Sequence, residues 1–318
     1  MRIERVRFQG MRGLKPIHID FPSEGPTVIT GSPGCGKTTV LEAIIAVKEA
    51  KAPYGQMPRG TDWPGDHARL ALDWRLDPDE QSAELSASHG MCWEPRDPAQ
   101  GLDENADARM FFSQYVRGSE RAKVEYFHAP RDLDVLVASR LGADSSIKTT
   151  RLQTGARKYA WLRSFLEQQG VENAAELQDR IQSRGLVFAT RPTVDRMQGF
   201  ARNLAALSPR LRWLGLRSGG GTVASMFARS NGADVELAQL TWSERMVVLF
   251  AATYEALGLH RSVLLVDLPE LALHPSDQTS FFQALCALSP RAQVIAATQS
   301  PAILRSLGKD QVVVLDDA

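Results

Sequence analysis

Apolar positions set a strand-like rhythm from the start of the chain. Ile3, Val6 and Phe8 carry one such pattern, and Ile17, Ile19 and Phe21 repeat it at period two, with Gly10 and Gly13 punctuating the turn between them. Pro26-Thr27-Val28-Ile29-Thr30 predicts a short buried strand, and Thr39 to Ala50 predicts a helix. Residues 51–66 are rich in Pro, Gly and Asp and read as loop. Ala68 to Arg75 and Ser82 to His89 predict an antiparallel pair, whereas the acidic stretch from Glu94 to Asp107 reads as a mobile loop. Val124 to Phe127 is a further strand, ending at Ala129-Pro130-Arg131.

The middle of the chain changes period. Lys158 to Gln169 has apolar residues at helical spacing, Asn173 with Glu176 fits a capping box for a short helix, and Thr193 to Leu207 is a third helix. Strand signals return at Leu211 to Leu216, followed by a break at Gly219-Gly220-Gly221. Met226 to Arg229 and Val235 to Leu237 flank Asn231-Gly232, which predicts a two-residue hairpin turn. Three apolar strands close the chain, at Ser262 to Asp267, Ala292 to Gln299 and Gln311 to Leu315. No internal repeat and no sustained heptad interrupts this order.

Composition narrows the class. The 318 residues are 43% hydrophobic and 23% charged, ordinary for a soluble protein with a large core. Lys+Arg and Asp+Glu are equal at 37 each, so any nucleic-acid contact must come from a local patch and not from global charge. Cys35, Cys92 and Cys286 lie far apart with no CxxC spacing, which argues against a disulfide framework or zinc site and for a reducing compartment. With no run of 18 apolar residues and no signal-peptide pattern at Met1 to Arg5, a cytoplasmic protein without membrane partners is expected.

The strongest chemical signal is Gly31-Ser32-Pro33-Gly34-Cys35-Gly36-Lys37-Thr38-Thr39. It fits G-x-x-x-x-G-K-[ST] between a predicted strand and a predicted helix, the context a phosphate-binding loop requires. Glycines at 31, 34 and 36 let the backbone curl so that successive N–H groups point inward at phosphate oxygens, and the positive end of the following helix adds to that field. Lys37 is placed for the β- and γ-phosphates and Thr38 for magnesium. A second signal is the apolar strand Ser262 to Val266 ending in Asp267, whose carboxylate is a magnesium ligand if that strand runs beside the loop. A nucleoside triphosphate with Mg2+ is the implied ligand.

With these blocks in place, the chain resembles an ABC-type ATPase of the RecF, SMC and OLD-like branch. Met1 to Ile45 resembles that branch's opening, with Phe8, Arg12 and Gly13 ahead of the loop. Tyr126 to Leu133 resembles a strand-to-Pro-Arg segment of OLD-like ATPases. Gln239 to Arg245 stands where the ABC signature would be, Leu264 to Pro275 resembles the extended magnesium-aspartate motif, and Val294 to Leu304 the switch strand with its Ser300-Pro301 turn. The resemblance implies an α/β P-loop NTPase head with a mixed central sheet, an antiparallel β subdomain and a helical insertion. The corresponding segments are an N-terminal lobe over 1–135, a helical insertion over 136–210 and a C-terminal lobe over 211–318. It also implies an approach of Arg12 to the nucleotide, the alternative being an ordinary surface arginine. Thr241 and Ser243 would cap a γ-phosphate across a dimer, while Thr241-Trp242-Ser243-Glu244 also fits a helix capping box.

Three positions depart from the family. The glutamate that follows the magnesium aspartate is replaced by Leu268, which cannot polarise water, and Glu270 two residues on is the available acid. Ser243 replaces a signature glycine. Gln299 replaces the switch histidine and can hydrogen-bond a phosphate or water but cannot carry charge. Binding groups are complete while water-activating groups are weakened, so the expected activity is slow hydrolysis of ATP to ADP and phosphate by a nucleotide-dependent homo- or heterodimer. Its expected setting is nucleic-acid maintenance or antiviral defence. The chain ends just past its last strand, so a nuclease or toxin effector is expected on a separate polypeptide. The alternative is a catalytically degenerate scaffold that binds ATP to assemble a complex. A small-molecule kinase would leave the 240–245 and 264–275 blocks unexplained. Lys148, Arg151, Arg157, Lys158 and Arg163, interleaved with Tyr159 and Trp161, form a cationic run that suits nucleic-acid phosphates, a solvated helix face or an acidic protein.

Overall fold

The computed structural model describes residues 1–12, 14–51, 68–78, 88–93, 124–129, 131, 133, 156–159, 161–163, 165–167, 196–219 and 222–315. They form two compact units. One is built chiefly from Met1–Arg131 with Gly258–Ala318, the other chiefly from Ala156–Leu257. These units do not follow the three segments read from sequence. The reason is strand pairing: the last three strands complete a sheet begun near the N-terminus, while residues 211–257 pack with the helical segment before them.

In the first unit, β3 (Thr27–Gly31), β6 (Val124–Phe127), β10 (Val263–Asp267), β11 (Gln293–Ala297) and β12 (Val312–Leu315) form a sheet in the order β12-β3-β11-β10-β6. Every pairing among them is parallel. Among the described residues the central sheet of the expected α/β head is parallel throughout. The antiparallel strands pair with one another in a separate sheet, β2-β1-β4-β5, from β1 (Arg2–Gln9), β2 (Ile17–Asp20), β4 (Arg69–Arg75) and β5 (Ser88–Trp93). β10 and β11 are buried at all five positions, as a parallel strand covered on both faces must be. β4 alternates, with Leu70, Leu72 and Trp74 buried between exposed or half-buried neighbours. The predicted partner of β4 starts later than expected, at Ser88.

The helix α1 (Lys37–Lys51) packs against strands of both sheets. Val40, Leu41, Ala43, Ile44, Ile45 and Val47 are buried around its circumference, which marks a core helix and not an amphipathic surface one. Gln293 joins the two sheets. Its side-chain amide donates to the Ile3 carbonyl at 2.9 Å and accepts from the Ile3 N–H at 2.7 Å, both buried.

In the second unit, α2 (Arg196–Leu207) packs on α3 (Trp242–Leu257), and β7 (Leu211–Gly219), β8 (Thr222–Arg229) and β9 (Asp234–Glu236) form an antiparallel sheet. The helices approach closely because Gly199 faces the Glu255 carboxylate, which a Cβ at that position would meet. The β8–β9 connection is a three-residue loop, Ser230-Asn231-Gly232, and not the expected two-residue turn. Arg229 N–H donates to Ala233 O at 2.9 Å, Gly232 N–H donates to Arg229 O at 2.9 Å, and Gly232 takes φ 84°. A type I turn closed by a left-handed glycine has this pattern. Residues 161–163 and 165–167 are helical, as expected for that stretch. The expected loops at 52–66 and 94–107, Gly13, residues 82–87 and the Asn173–Glu176 cap lie outside the described residues. The remaining helices, α4 (Pro275–Ala287) and α5 (Pro301–Arg305), belong to the first unit.

Candidate nucleotide-binding site

The parallel sheet presents its carboxyl ends to one place. The loop after β3 curls through Gly31 (φ 145°), Gly34 (φ 86°) and Gly36 (φ 98°) before α1 begins at Lys37. Two of these glycines are required for space as well as conformation. A Cβ on Gly31 would meet the Leu315 carbonyl and Cys35 Sγ, and one on Gly36 would run into the Leu14 side chain. Lys37 is buried and folds back over the loop. Its Nζ donates to Gly31 O at 2.9 Å and Ser32 O at 2.7 Å, with Cys35 Sγ at 3.6 Å. The lysine thus braces the curl through two of its carbonyls, and its charge sits inside the loop.

Thr38, at the start of α1, and Asp267, at the end of β10, come from positions 229 residues apart and meet. Thr38 Oγ1 lies 3.0 and 3.1 Å from the two carboxylate oxygens of Asp267. Burial raises the Asp267 carboxyl above its ordinary range. The Thr38 hydrogen bond and the charge of Arg131 oppose the rise, nearby Glu270 adds to it, and Lys37 opposes it. A hydroxyl and a carboxylate are the hard oxygen donors that magnesium takes. Among the described residues, no group of three His, Cys, Asp or Glu side chains forms a metal cage on its own. The donor set fits an ion whose other positions are filled by phosphate and water, as magnesium in a nucleotide site commonly is.

Beyond Asp267 the chain turns sharply. Leu268 takes φ 48° and Ala272 φ 68°, both left-handed. Leu268 N–H still donates to Ala297 O at 2.8 Å, so β10 stays laced to β11 one residue past its end. Glu270 and Gln299, singled out separately in the sequence, come together here. Glu270 Oε1 accepts the Gln299 backbone N–H at 2.9 Å, while Oε2 is buried and accepts no hydrogen bond among the described residues. The Gln299 side chain is exposed. Ser300 caps α5, its Oγ accepting from Ile303 N–H at 3.2 Å and donating to Gln278 Oε1 at 2.6 Å.

Arg12 also takes a left-handed φ of 47° and pairs with Glu42 of α1, Nη1 to Oε2 at 2.6 Å. Burial raises the Glu42 carboxyl despite Arg12, with Asp267 adding to the rise. The arginine therefore stands beside the helix that leaves the phosphate loop. In the second unit, the block 240–245 is a realised capping box. Thr241 Oγ1 accepts from Glu244 N–H at 3.3 Å, and Glu244 Oε2 accepts from Thr241 N–H at 2.7 Å. Ser243 Oγ lies 3.3 Å from Thr241 Oγ1. Arg229 holds the same carboxylate by two 2.7 Å hydrogen bonds. Burial works to raise the Glu244 carboxyl, but these partners outweigh it and hold it below its usual range.

The family described as "AAA domain, putative AbiEii toxin, Type IV TA system" matches residues 74–305, and a second AAA domain family matches residues 5–89. The chain belongs to the first of these families. Among curated proteins, none matches it. Two solved structures resemble it over nearly their whole lengths. One is the Smc head bound to the C-winged helix domain of ScpA, at 14% identity, TM-score 0.56, and coverage of 98% of this chain and 96% of that one. The other is the Smc head with an extended coiled coil bound to the C-terminal domain of ScpA from Pyrococcus furiosus, also at 14% identity and TM-score 0.56, covering 98% and 92%. At that identity the likeness carries the fold: this AAA-family chain has the architecture of an ABC-type ATPase head.

Of the cationic run, the described side chains are those of Lys158 and Arg163 with the interleaved Tyr159 and Trp161. Lys158, Tyr159 and Trp161 are buried, with Lys158 Nζ 5.4 Å from the Tyr159 ring centroid and Trp161 packed edge-on to Phe165. Arg163 pairs with Glu167 at 2.8 Å, one helical turn away. The aromatic spacing reflects core packing, a periodicity that also suits a binding stripe. Lys148 and Arg151 lie outside the described residues, and so does the side chain of Arg157. No helix among the described residues is long and apolar enough to cross a membrane. Sequence reading missed the roles of Glu42 and Arg229, since neither stands in a motif. Arg131 stood in the quoted Pro-Arg segment without an assigned task.

Proposed function

We propose that this chain is an ATP-binding, slowly hydrolysing ABC-type head that works as a nucleotide-dependent dimerisation switch with a separate effector. The observation that carries it is the meeting of Thr38 and Asp267 at 3.0–3.1 Å beside the curled loop and Lys37. In this reading the amides of residues 31–39 and Lys37 hold the triphosphate, and Thr38 and Asp267 hold the ion, which neutralises phosphate charge when bound. Glu270 presents its free oxygen to a water, and Gln299 orients that water or the terminal phosphate. Leu268 offers no base, so turnover is slow. Arg12 leaves Glu42 for the nucleotide, and Thr241 and Ser243 close on a phosphate bound by the partner head, the contact that drives dimerisation.

The family's description points toward toxin-type systems, which supports a defence setting and an effector toxin or nuclease. Smc heads in the solved structures bind a ScpA domain, which supports a protein partner on this head as well. A second reading, a scaffold that binds ATP without useful hydrolysis, is favoured by the same turn. Leu268 is inert, and one Glu270 oxygen is already committed to the Gln299 amide.

The test is ATP turnover and binding by the pure chain beside Lys37→Ala. Slow turnover lost in the variant supports the switch. Tight binding without turnover supports the scaffold. No binding of ATP with magnesium defeats both. Lys37→Ala should weaken ATP binding by about 3 kcal/mol, roughly a hundredfold, because it removes charge-assisted contacts and unbraces the loop.

A further inference from the structure

Arg131 is 1% exposed, and no step above uses it. Its guanidinium is surrounded by main-chain carbonyls. Nη2 donates to Phe127 O at 3.2 Å and Asp267 O at 2.5 Å, and Nη1 donates to Leu268 O at 3.3 Å. Phe127 and Asp267 end two neighbouring parallel strands, with Val266 in register with Phe127. Among the described residues β6 stops there, and Asp267 has a strand neighbour only on the β11 side, where Leu268 N–H donates to Ala297 O at 2.8 Å. The arginine supplies, on the other side, the donors that a continuing strand would have supplied. The Asp267–Leu268 segment is thereby held from both flanks at the point where Leu268 swings to φ 48°.

We propose that Arg131 is a positioning residue for the magnesium site: it fixes the main chain of Asp267 so that the carboxylate stays on Thr38 and on the ion both would hold. This inference rests on the ATP-binding reading above. The residue type follows from the task. A rigid fork with five donors can serve three carbonyls at once, whereas an ammonium is a single point with freely rotating donors. Groups that orient a metal ligand from behind commonly change metal affinity by about 10–100-fold when altered.

The experiment compares the full-length chain with Arg131→Lys, which keeps the charge and loses the fork. ATP affinity is measured by calorimetry twice, with magnesium and with EDTA. The positioning role predicts that Arg131→Lys lowers magnesium–ATP affinity about tenfold or more, leaves metal-free ATP affinity within about twofold, and loses its effect in an Asp267→Asn background. Equal losses with and without magnesium, or no loss in either, overturn it, because a merely structural arginine would not separate the two. If Arg131→Lys fails to fold, Arg131→Gln, which keeps a planar donor, carries the same comparison. A wild-type chain that binds ATP no better with magnesium than without overturns the parent reading first, before any variant is made.

Discussion

Two adjacent stretches at the carboxyl end of the parallel sheet differ in what they carry. The loop after β3 and the end of β10 hold the groups to which the proposed function gives the phosphate and the cation: the curled loop, Lys37, Thr38 and Asp267. One residue further, the turn from Leu268 to Glu270 holds an aliphatic side chain and an acid already engaged with the Gln299 amide. Grip depends on backbone geometry and on a few charges placed by rigid elements. Chemistry on water depends on one free, correctly placed base. On the proposed function, the first set of features is kept while the second thins out, which is possible because they rest on different residues.

The sharpest way to break that contrast is to restore the missing base. Leu268→Glu should raise ATP turnover by roughly a hundredfold, the usual contribution of a general base, with ATP affinity changed little. The check is single-turnover hydrolysis beside binding calorimetry. An unchanged rate would mean that something other than Leu268 limits the chemistry.

Asp267→Asn attacks the grip. Magnesium-dependent ATP affinity should fall about tenfold or more with the lost carboxylate. Stability should move the other way. The folded carboxyl is raised by burial, so folding penalises the ionised form. Stability is full below the unfolded value, about 3.9, and is lost as pH rises through the higher folded value. Asparagine does not ionise. The thermal midpoint of the nucleotide-free variant should therefore gain on the wild type between pH 4 and pH 7, measured by differential scanning fluorimetry.

The smallest effect separates two jobs of one hydroxyl. Thr241→Ala should cost about 1 kcal/mol of stability through the lost cap, and Thr241→Ser should recover most of it. If ATP-driven dimerisation, followed by light scattering, is lost in the alanine variant and restored in the serine variant, the hydroxyl also serves the closed dimer. If dimerisation tracks only stability, Thr241 is a cap alone.

Much of the fold was legible where the signal was local. The predicted strands at 26–30, 124–127, 262–267 and 311–315 lie within a residue or so of β3, β6, β10 and β12, because strands of a parallel sheet are near-continuous apolar runs, even at the half-exposed edge strand β12. The phosphate loop was legible because glycine spacing encodes its curl. What was hidden depends on partners far along the chain. Whether the central sheet was mixed or parallel could not be read from apolar runs, which look alike in either. Within the cationic run, buried aromatics and interfacial aromatics share helical spacing, and only packing shows Lys158 to be enclosed. The brace from Arg229 to Glu244 spans 15 residues through a hairpin, beyond the reach of any local pattern.

The order of strands in the parallel sheet has a consequence for biosynthesis. β3 carries the phosphate loop, and its two sheet neighbours are β11 and β12, which begin at Gln293 and Val312. At ribosomal speeds of 5–20 residues per second, the strand that ends at Gly31 waits on the order of 10–50 s for either neighbour to be made. Until then an apolar ribbon stands with both edges bare, the condition that invites misassembly or a chaperone. A nascent chain arrested anywhere before Gln293 should lack a working phosphate grip, however complete its motif.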